Sequence, residues 1–280
     1  MIDLRIATCK ELPEVDVDEA PLGRALAAAG IRAALLAWDD PSVDWDAPIP
    51  TLLRSTWNYA LHVGAFLDWI ERVARAAPLW NPPQIIRGNV HKAYLLDLAK
   101  RGVPTVPTQL LTRVPSADEL SVLAGRVVIK PEVGAGSLGT RLFEIPRDID
   151  AALAHLATLT SGGAALIQPY VASVDDYGER SLVWIDGELS HAIRKTPRFS
   201  GDSESVSGPF PIADDERALA TAALAPYAEQ LLYARVDLAR DADGAPQIME
   251  LEMVEPSLFF ARQPGSVEKF VNALSRRLRV

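Results

Sequence analysis

Cysteine is almost missing from this chain. Cys9 is the only one in 280 residues, which excludes an internal disulfide and a zinc site built from cysteines. Histidine is scarce too: His62, His91, His155 and His191 are scattered without metal-ligand spacing, against a histidine–zinc centre. Positive charge is in deficit, with 28 Lys and Arg against 37 Asp and Glu, a net charge of -9 and a pI near 5.0. Nucleic acid and anionic membrane would be repelled, so neither is an expected partner. Any phosphate binding then falls to local lysines. No apolar run approaches the roughly 20 residues that span a bilayer. The opening MIDLRIATCKELPEVDVDE turns acidic at once and lacks the basic start and apolar stretch of a signal peptide, so a cytoplasmic protein is expected. Internal repeats and low-complexity segments are also lacking.

What is present is an ordinary globular balance, 49% hydrophobic and 23% charged, in a chain long enough for two or three lobes with their own cores. The first third alternates short apolar runs (Leu4 to Thr8, Ala33 to Trp38, Thr51 to Ser55) with helical stretches (Ala20 to Ala29, Val63 to Ala76). That order predicts a small, parallel, doubly wound sheet, with ligands at the carboxyl ends of its strands. Cys9 and the segment Arg54 to Tyr59 sit at two such ends. Asn81-Pro82-Pro83 reads as a linker, and Asn89 as the N-cap of a helix running to about Arg101. Strands follow at Val127 to Lys130, Arg141 to Ile145 and Ala165 to Gln168, with a helix near Ile149 to Leu159. Two hairpins close the chain: 180–185 with 188–194, and 234–239 with 246–253. Asp186-Gly187 is the pairing that type I′ turns want. Between them lie a Gly-, Ser- and Pro-rich segment, 196–211, expected to be a mobile loop, and a helix from about Asp214 to Leu232.

The second hairpin carries the strongest chemical signal. With a side-chain period of two, Glu250 and Glu252 share one strand face while Met249, Leu251 and Met253 share the other. A two-residue turn at Asp243-Gly244 places Asp237 directly opposite Glu250, with Cβ atoms about 5 Å apart. Three carboxylates so placed either form a solvated acidic face or hold a cation. Magnesium, which takes hard oxygen ligands, would remove their repulsion.

Gly134-Ala135-Gly136-Ser137-Leu138-Gly139 matches a dinucleotide-binding fingerprint literally, but Thr140 to Ile145 reads as a strand where a Rossmann loop opens a helix. A glycine loop between two strands instead folds over phosphates or is a plain turn. Lys130 precedes the loop, whereas the kinase lysine follows it, and His-Arg-Asp, Asp-Phe-Gly and Walker A segments are lacking. Lys130 ends an apolar strand, and Lys92 lies in the first turn of its helix, where the dipole favours a bound anion. Each lysine alone fits a solvated surface position. With the glycine loop and the carboxylates, they fit one ligand, a magnesium-bound polyphosphate.

The ordered set His91-Lys92, Val128-Ile129-Lys130-Pro131, Gly134 to Gly139, Ile167-Gln168-Pro169-Tyr170-Val171, Arg235-Val236-Asp237 and Met249-Glu250-Leu251-Glu252 resembles the ATP-grasp superfamily of glutathione synthetase-like, ATP-dependent carboxylate–amine ligases. The resemblance covers residues 85–262 and lies in the order of the motifs. It implies an α/β (α+β) fold in three parts: a small N-terminal parallel-sheet domain (1–84), a central domain with the ATP lid (85–172) and a C-terminal antiparallel-sheet domain with the metal site (173–280). ATP and Mg2+ are the implied cofactors. Lys92, Lys130 and the loop residues Gly134, Gly136, Ser137, Leu138 and Gly139 would contact phosphates. Gln168, Pro169, Tyr170 and Val171 would form the adenine hinge, with Glu179 beside the nucleotide. Lys130, Lys195 and Arg194 would be catalytic, and Asp237, Glu250 and Glu252 would hold the metal. Many members carry Asn where this chain has Glu252, and the extra charge bears on metal number or affinity. The runs Glu-Leu-Glu-Met-Val-Glu-Pro-Ser-Leu-Phe-Phe and Arg-Ser-Thr-Trp-Asn-Tyr look most like a branch related to the O-ureido-serine cyclo-ligase of D-cycloserine biosynthesis.

The implied partners are a small-molecule carboxylate and an amine, with intramolecular closure and a homodimer both left open. Arg54, Ser55, Tyr59, Glu255 and Arg262 are candidate substrate contacts, with Arg54 suited to fork a carboxylate and surface pairing or capping the alternative for each. Cys9, Trp57 and Trp184 are read as core residues. A phosphotransferase, or an ATP-binding module without turnover, could use the same nucleotide site.

Overall fold

The computed structural model describes residues 2–196 and 205–279. The N-terminal part alternates β1 (Leu4–Thr8), α1 (Glu19–Ala28), β2 (Ala33–Ala37), β3 (Thr51–Leu53), α2 (Val63–Ala76) and β4 (Leu79–Trp80). Its strands pair in parallel in the order β2-β1-β3-β4. Helix α2 buries Phe66, Trp69, Ile70 and Val73, a stripe at helical spacing, against Trp38 and Trp45.

The central part contains α3 (Pro83–Val90), α4 (Tyr94–Lys100), β5 (Gln109–Leu111), α5 (Ala117–Ser121), β6 (Gly125–Pro131), β7 (Arg141–Ile145), α6 (Ile149–Thr160) and β8 (Ala165–Pro169). It forms an antiparallel sheet in the order β5-β8-β6-β7, with Phe143, Leu156 and Ile167 in its core. The C-terminal part contains α7 (Ser173–Asp176), β9 (Glu179–Ile185), β10 (Glu188–Lys195), β11 (Val206–Phe210), α8 (Asp214–Leu224), β12 (Tyr233–Arg240), β13 (Pro246–Glu252) and α9 (Ser266–Leu278). Its antiparallel sheet runs β11-β10-β9-β12-β13. One apolar cluster joins Leu4, Leu22 and Leu26 of the first part to Val183, Tyr233 and Phe270 of the last. Asp18, fully buried, reinforces that joint: its carboxylate accepts N–H bonds from Leu258, Phe259 and Phe260 and pairs with Arg54. No helix among the described residues is long and apolar enough to cross a membrane.

Five expectations are corrected here. Asn81 is no linker residue: it is fully buried and bonds Leu232 N, Tyr233 O and Met253 O, while Pro83 opens α3, where its missing N–H costs nothing. Asn89 is not an N-cap. It lies inside α3, and a turn over 91–93 separates α3 from α4, leaving Lys92 ahead of α4. Helix α8 stops at Leu224, just before Pro226, well short of Leu232. Of the segment 196–211, residues 206–210 form β11 against β10, and 197–204 lie outside the described residues. The turn of the second hairpin spans 241–245, not two residues: the Asp241 carboxylate accepts from Asp243 N and Ala245 N, which widens the loop.

Candidate active site

The widened loop shifts the β12–β13 register by one residue near the turn, and an irregularity between Leu238 and Asp237 shifts it back. Asp237 therefore does lie opposite Glu250, and Arg235 opposite Glu252. This β-bulge also moves Met249, which lines the same cavity as Glu250 and Glu252 instead of the opposite face. Leu251 and Met253 stay in the core.

The cavity lies where β6, the glycine loop and β8 of the central part face β10, β12 and β13. Among its walls are Lys92, Lys130, Gly134, Gly136, Ser137 and Leu138. Gln168, Pro169, Tyr170, Val171, Glu179, Lys195, Glu250 and Glu252 line it as well, joined by Tyr59 and Trp57 of the N-terminal part and by Glu255, just after β13. Lys130 Nζ and Lys92 Nζ meet Glu250 Oε1 at 3.0 and 3.1 Å. Lys92 Nζ also donates to Gly134 O at 3.0 Å, tying the turn ahead of α4 to the glycine loop. Lys195 Nζ donates to Asp237 Oδ2 at 2.8 Å and pairs with Glu179. Arg235 forks Asp237 at 2.9 Å on each oxygen and reaches Glu252 Oε1 at 2.5 Å.

Burial and charge work against each other in this cluster. Burial would raise the Glu250 carboxyl, but Lys130 and Lys92 outweigh it and hold Glu250 well below the usual carboxylate range. Burial likewise opposes Asp237, and Arg235 and Lys195 hold it ionised. Burial and Arg235 oppose the Lys195 ammonium, but Asp237, Glu179 and Glu252 outweigh them and raise it above the ordinary lysine value. Three carboxyls go the other way, among them Glu252, which burial raises against the pull of Arg235. Burial lifts Glu179 to about 7, against the pull of Lys195. Burial lifts Glu255 to about 8, and the neighbouring charge of Glu252 adds to it.

The repulsion among the three carboxylates is thus already compensated by lysine and arginine, so it does not by itself demand a metal. The donor set does fit one. Ligand oxygens of Asp237, Glu250 and Glu252 lie within 4.8 Å of one another, all hard donors of the kind magnesium takes. Asp237 is fully buried, with both oxygens bonded to Arg235 and Lys195. Glu250 and Glu252 face the cavity.

Several expected site residues lie elsewhere. Arg54 is 2% exposed and turned toward Asp18 and Pro256 O, because the joint between the first and last parts of the chain captures it. Ser55, also buried, shares a hydrogen bond with Thr8. Arg262 is exposed and donates to Val206 O. Arg194 points away from Lys195, as strand alternation requires, with Nη1 on Asp176 O and its guanidinium over Phe210. Gly139 flanks the cavity; its φ of +73° suits glycine, and its carbonyl meets the His155 ring at 2.8 Å. Trp57, expected in the core, is at the cavity wall, where its indole N–H donates to Glu255 O. Arg235 was visible only as part of a segment. The alternation that pairs Glu250 with Glu252 also puts Arg235 beside Asp237, and that parity was the available signal.

Residues 4–81 match a family model described as the N-terminal domain of D-cycloserine synthetase DcsG. The chain is 35% identical over 289 aligned residues to the cycloserine biosynthesis protein DcsG of Streptomyces lavendulae, covering 95% of both. A crystal structure of D-cycloserine synthetase DcsG superposes with a TM-score of 0.88 at 34% identity, covering 98% of this chain and 99% of that one. The D-alanine–D-alanine ligase of Bacillus anthracis, solved with ATP, shares the fold at a TM-score of 0.68 and 19% identity, covering 100% and 98%.

Proposed function

The chain belongs to the D-cycloserine synthetase family of ATP-grasp ligases, and from that premise we propose that it closes a ring within a small amino acid carrying an O-ureido or similar nitrogen group. Its activity in coarser terms is ATP-dependent carboxylate–amine ligation. The observation that carries the finer reading is the identity of 35% across nearly the full length of a cycloserine biosynthesis protein.

ATP would lie with its adenine against Gln168 to Val171 and its phosphates under the glycine loop, where Lys92 and Lys130 supply charge. Glu250 and Glu252 would hold magnesium, with Asp237 bracing Arg235 and Lys195 from behind. A bound magnesium ion would neutralise phosphate oxygens. The substrate carboxylate attacks the γ-phosphorus, the bond to the β–γ bridging oxygen breaks, and ADP leaves. Positioning and preorganised charge do most of this work. A nitrogen of the same molecule then attacks the acyl carbon, loses its proton, and phosphate leaves with the C–O bond electrons. Tyr59 and Glu255 stand where the amino-acid end would reach, and exclusion of water protects the acyl phosphate.

The test is incubation with Mg·ATP and a panel of O-ureido-serine enantiomers, amino acids and dipeptides, read by ADP, phosphate and product mass. ADP, phosphate and a cyclic amide from a ureido substrate are expected. A linear amide alone would replace ring closure by intermolecular ligation, and a stable phosphorylated product would replace ligation by phosphotransfer.

A further inference from the structure

We propose that Asn89 and Tyr94 are positioning residues that fix the register of β13 and thereby aim Glu250 and Glu252 into the site, an inference that rests on the metal reading above. Among the described residues β13 is the last strand of its sheet, and its outer edge is met by no further strand, only by a single bridge from Thr105 to Ile248. Such an edge, interrupted by a bulge, is where register slips most easily, and a slip of one residue exchanges every side chain between the two faces. Here a slip would present Met249 and Leu251 where the carboxylates stand.

The outer edge is occupied by the end of α3 and the start of α4, which flank the turn over 91–93. Asn89 Oδ1 accepts from Met253 N at 2.6 Å, and its Nδ2 donates to Leu251 O at 2.7 Å. Tyr94 Oη accepts from Leu251 N at 3.0 Å. Both ends of the Asn89 amide are spent on backbone, so this side chain pairs with β13 as a neighbouring strand would. Because N–H and C=O groups alternate between strand edges, fixing Leu251 and Met253 outward turns Glu250 and Glu252 inward to β12. On the far side of the bulge a second contact holds Ile248, whose N–H donates to Pro104 O and whose carbonyl accepts from Val106 N, each at 3.0 Å. The bulge is therefore pinned on both sides. The carboxylates reach the cavity because neither flank can move. Buried amides with nothing else to bond are poor candidates for general packing, since an apolar side chain would fill the space without the desolvation cost.

The test is Mn2+ binding, followed by electron paramagnetic resonance in the presence of a non-hydrolysable ATP analogue, for the wild type, Tyr94→Phe and Asn89→Ala. Val271→Ala, on the buried face of α9, serves as a comparison for simple loss of stability. Both site variants should bind Mn2+ about tenfold more weakly, the lower range for partners that orient metal ligands, while Val271→Ala binds as the wild type. Tyr94→Phe removes a single hydroxyl and should fold normally, so it decides the matter if Asn89→Ala is poorly folded. Wild-type affinity in Tyr94→Phe, or weakening that merely follows the thermal midpoint as in Val271→Ala, would overturn the positioning role. No Mn2+ binding by the wild type would instead overturn the metal reading on which it rests.

Discussion

Glu250→Gln separates two roles that one carboxylate plays. Its Oε1 stands 3.0 Å from Lys130 Nζ and 3.1 Å from Lys92 Nζ. At an effective dielectric of about 20, unit charges about 3 Å apart attract by roughly 5 kcal/mol, and the cost of desolvating all three groups returns much of it. Glutamine keeps the shape and removes the charge, leaving two ammonium groups without their common counterion. The free protein should lose about 3 kcal/mol of stability. Its affinity for ATP without metal should rise by about tenfold, because the phosphates no longer compete with Glu250, a gain of about 1.4 kcal/mol. Turnover with Mg·ATP should nevertheless fall about a hundredfold or more, the scale of losing one preorganised electrostatic group. Calorimetric titration with ATP in EDTA, thermal melts and steady-state kinetics read the three effects. Turnover within a few-fold of wild type, with unchanged metal-free ATP binding, would refute the reasoning.

His191 predicts an acid-sensitive step in stability. Burial lowers it from 6.5 to about 4, with Nε2 bonded to Leu258 O at 3.0 Å. The unfolded chain then binds the proton more readily, so the contribution is full above pH 6.5 and is lost as pH falls toward 4, about 3 kcal/mol in all. His191→Gln should flatten that slope in urea titrations across this pH range, and parallel slopes would contradict the assignment. Asn81→Ala removes three buried hydrogen bonds and should cost at least about 3 kcal/mol in urea denaturation. Gly178→Ala should destabilise by about 2 kcal/mol, since φ is +80° and the new Cβ would meet Lys195 O at 3.1 Å and Arg194 Cγ at 2.4 Å; wild-type stability in either variant would count against the packing described.

Much of this was legible in the residues. Periodicity located α2 to the residue (Val63–Ala76), and Asp186-Gly187 forms its turn with φ of 47° and 96°. The same Asp-Gly pairing at Asp243-Gly244 misled because Asp241 captures nearby N–H groups, chemistry that a dipeptide rule does not weigh. The carboxylates opposed each other as the pattern required, yet their basic partners come from four separate strands or turns and meet only after folding. Arg54 and Arg262 show the same limit. A long side chain's position in sequence does not say which partner will hold it, and Asp18 lies 36 residues from Arg54.

The most direct measurement follows oxygen. A substrate labelled with 18O in both carboxylate oxygens should deliver one label to inorganic phosphate in each turnover, with the other retained in the ring carbonyl, because the acyl–phosphate bond breaks at carbon. Phosphate free of label alongside a cyclised product would contradict activation of the carboxylate by ATP in this site.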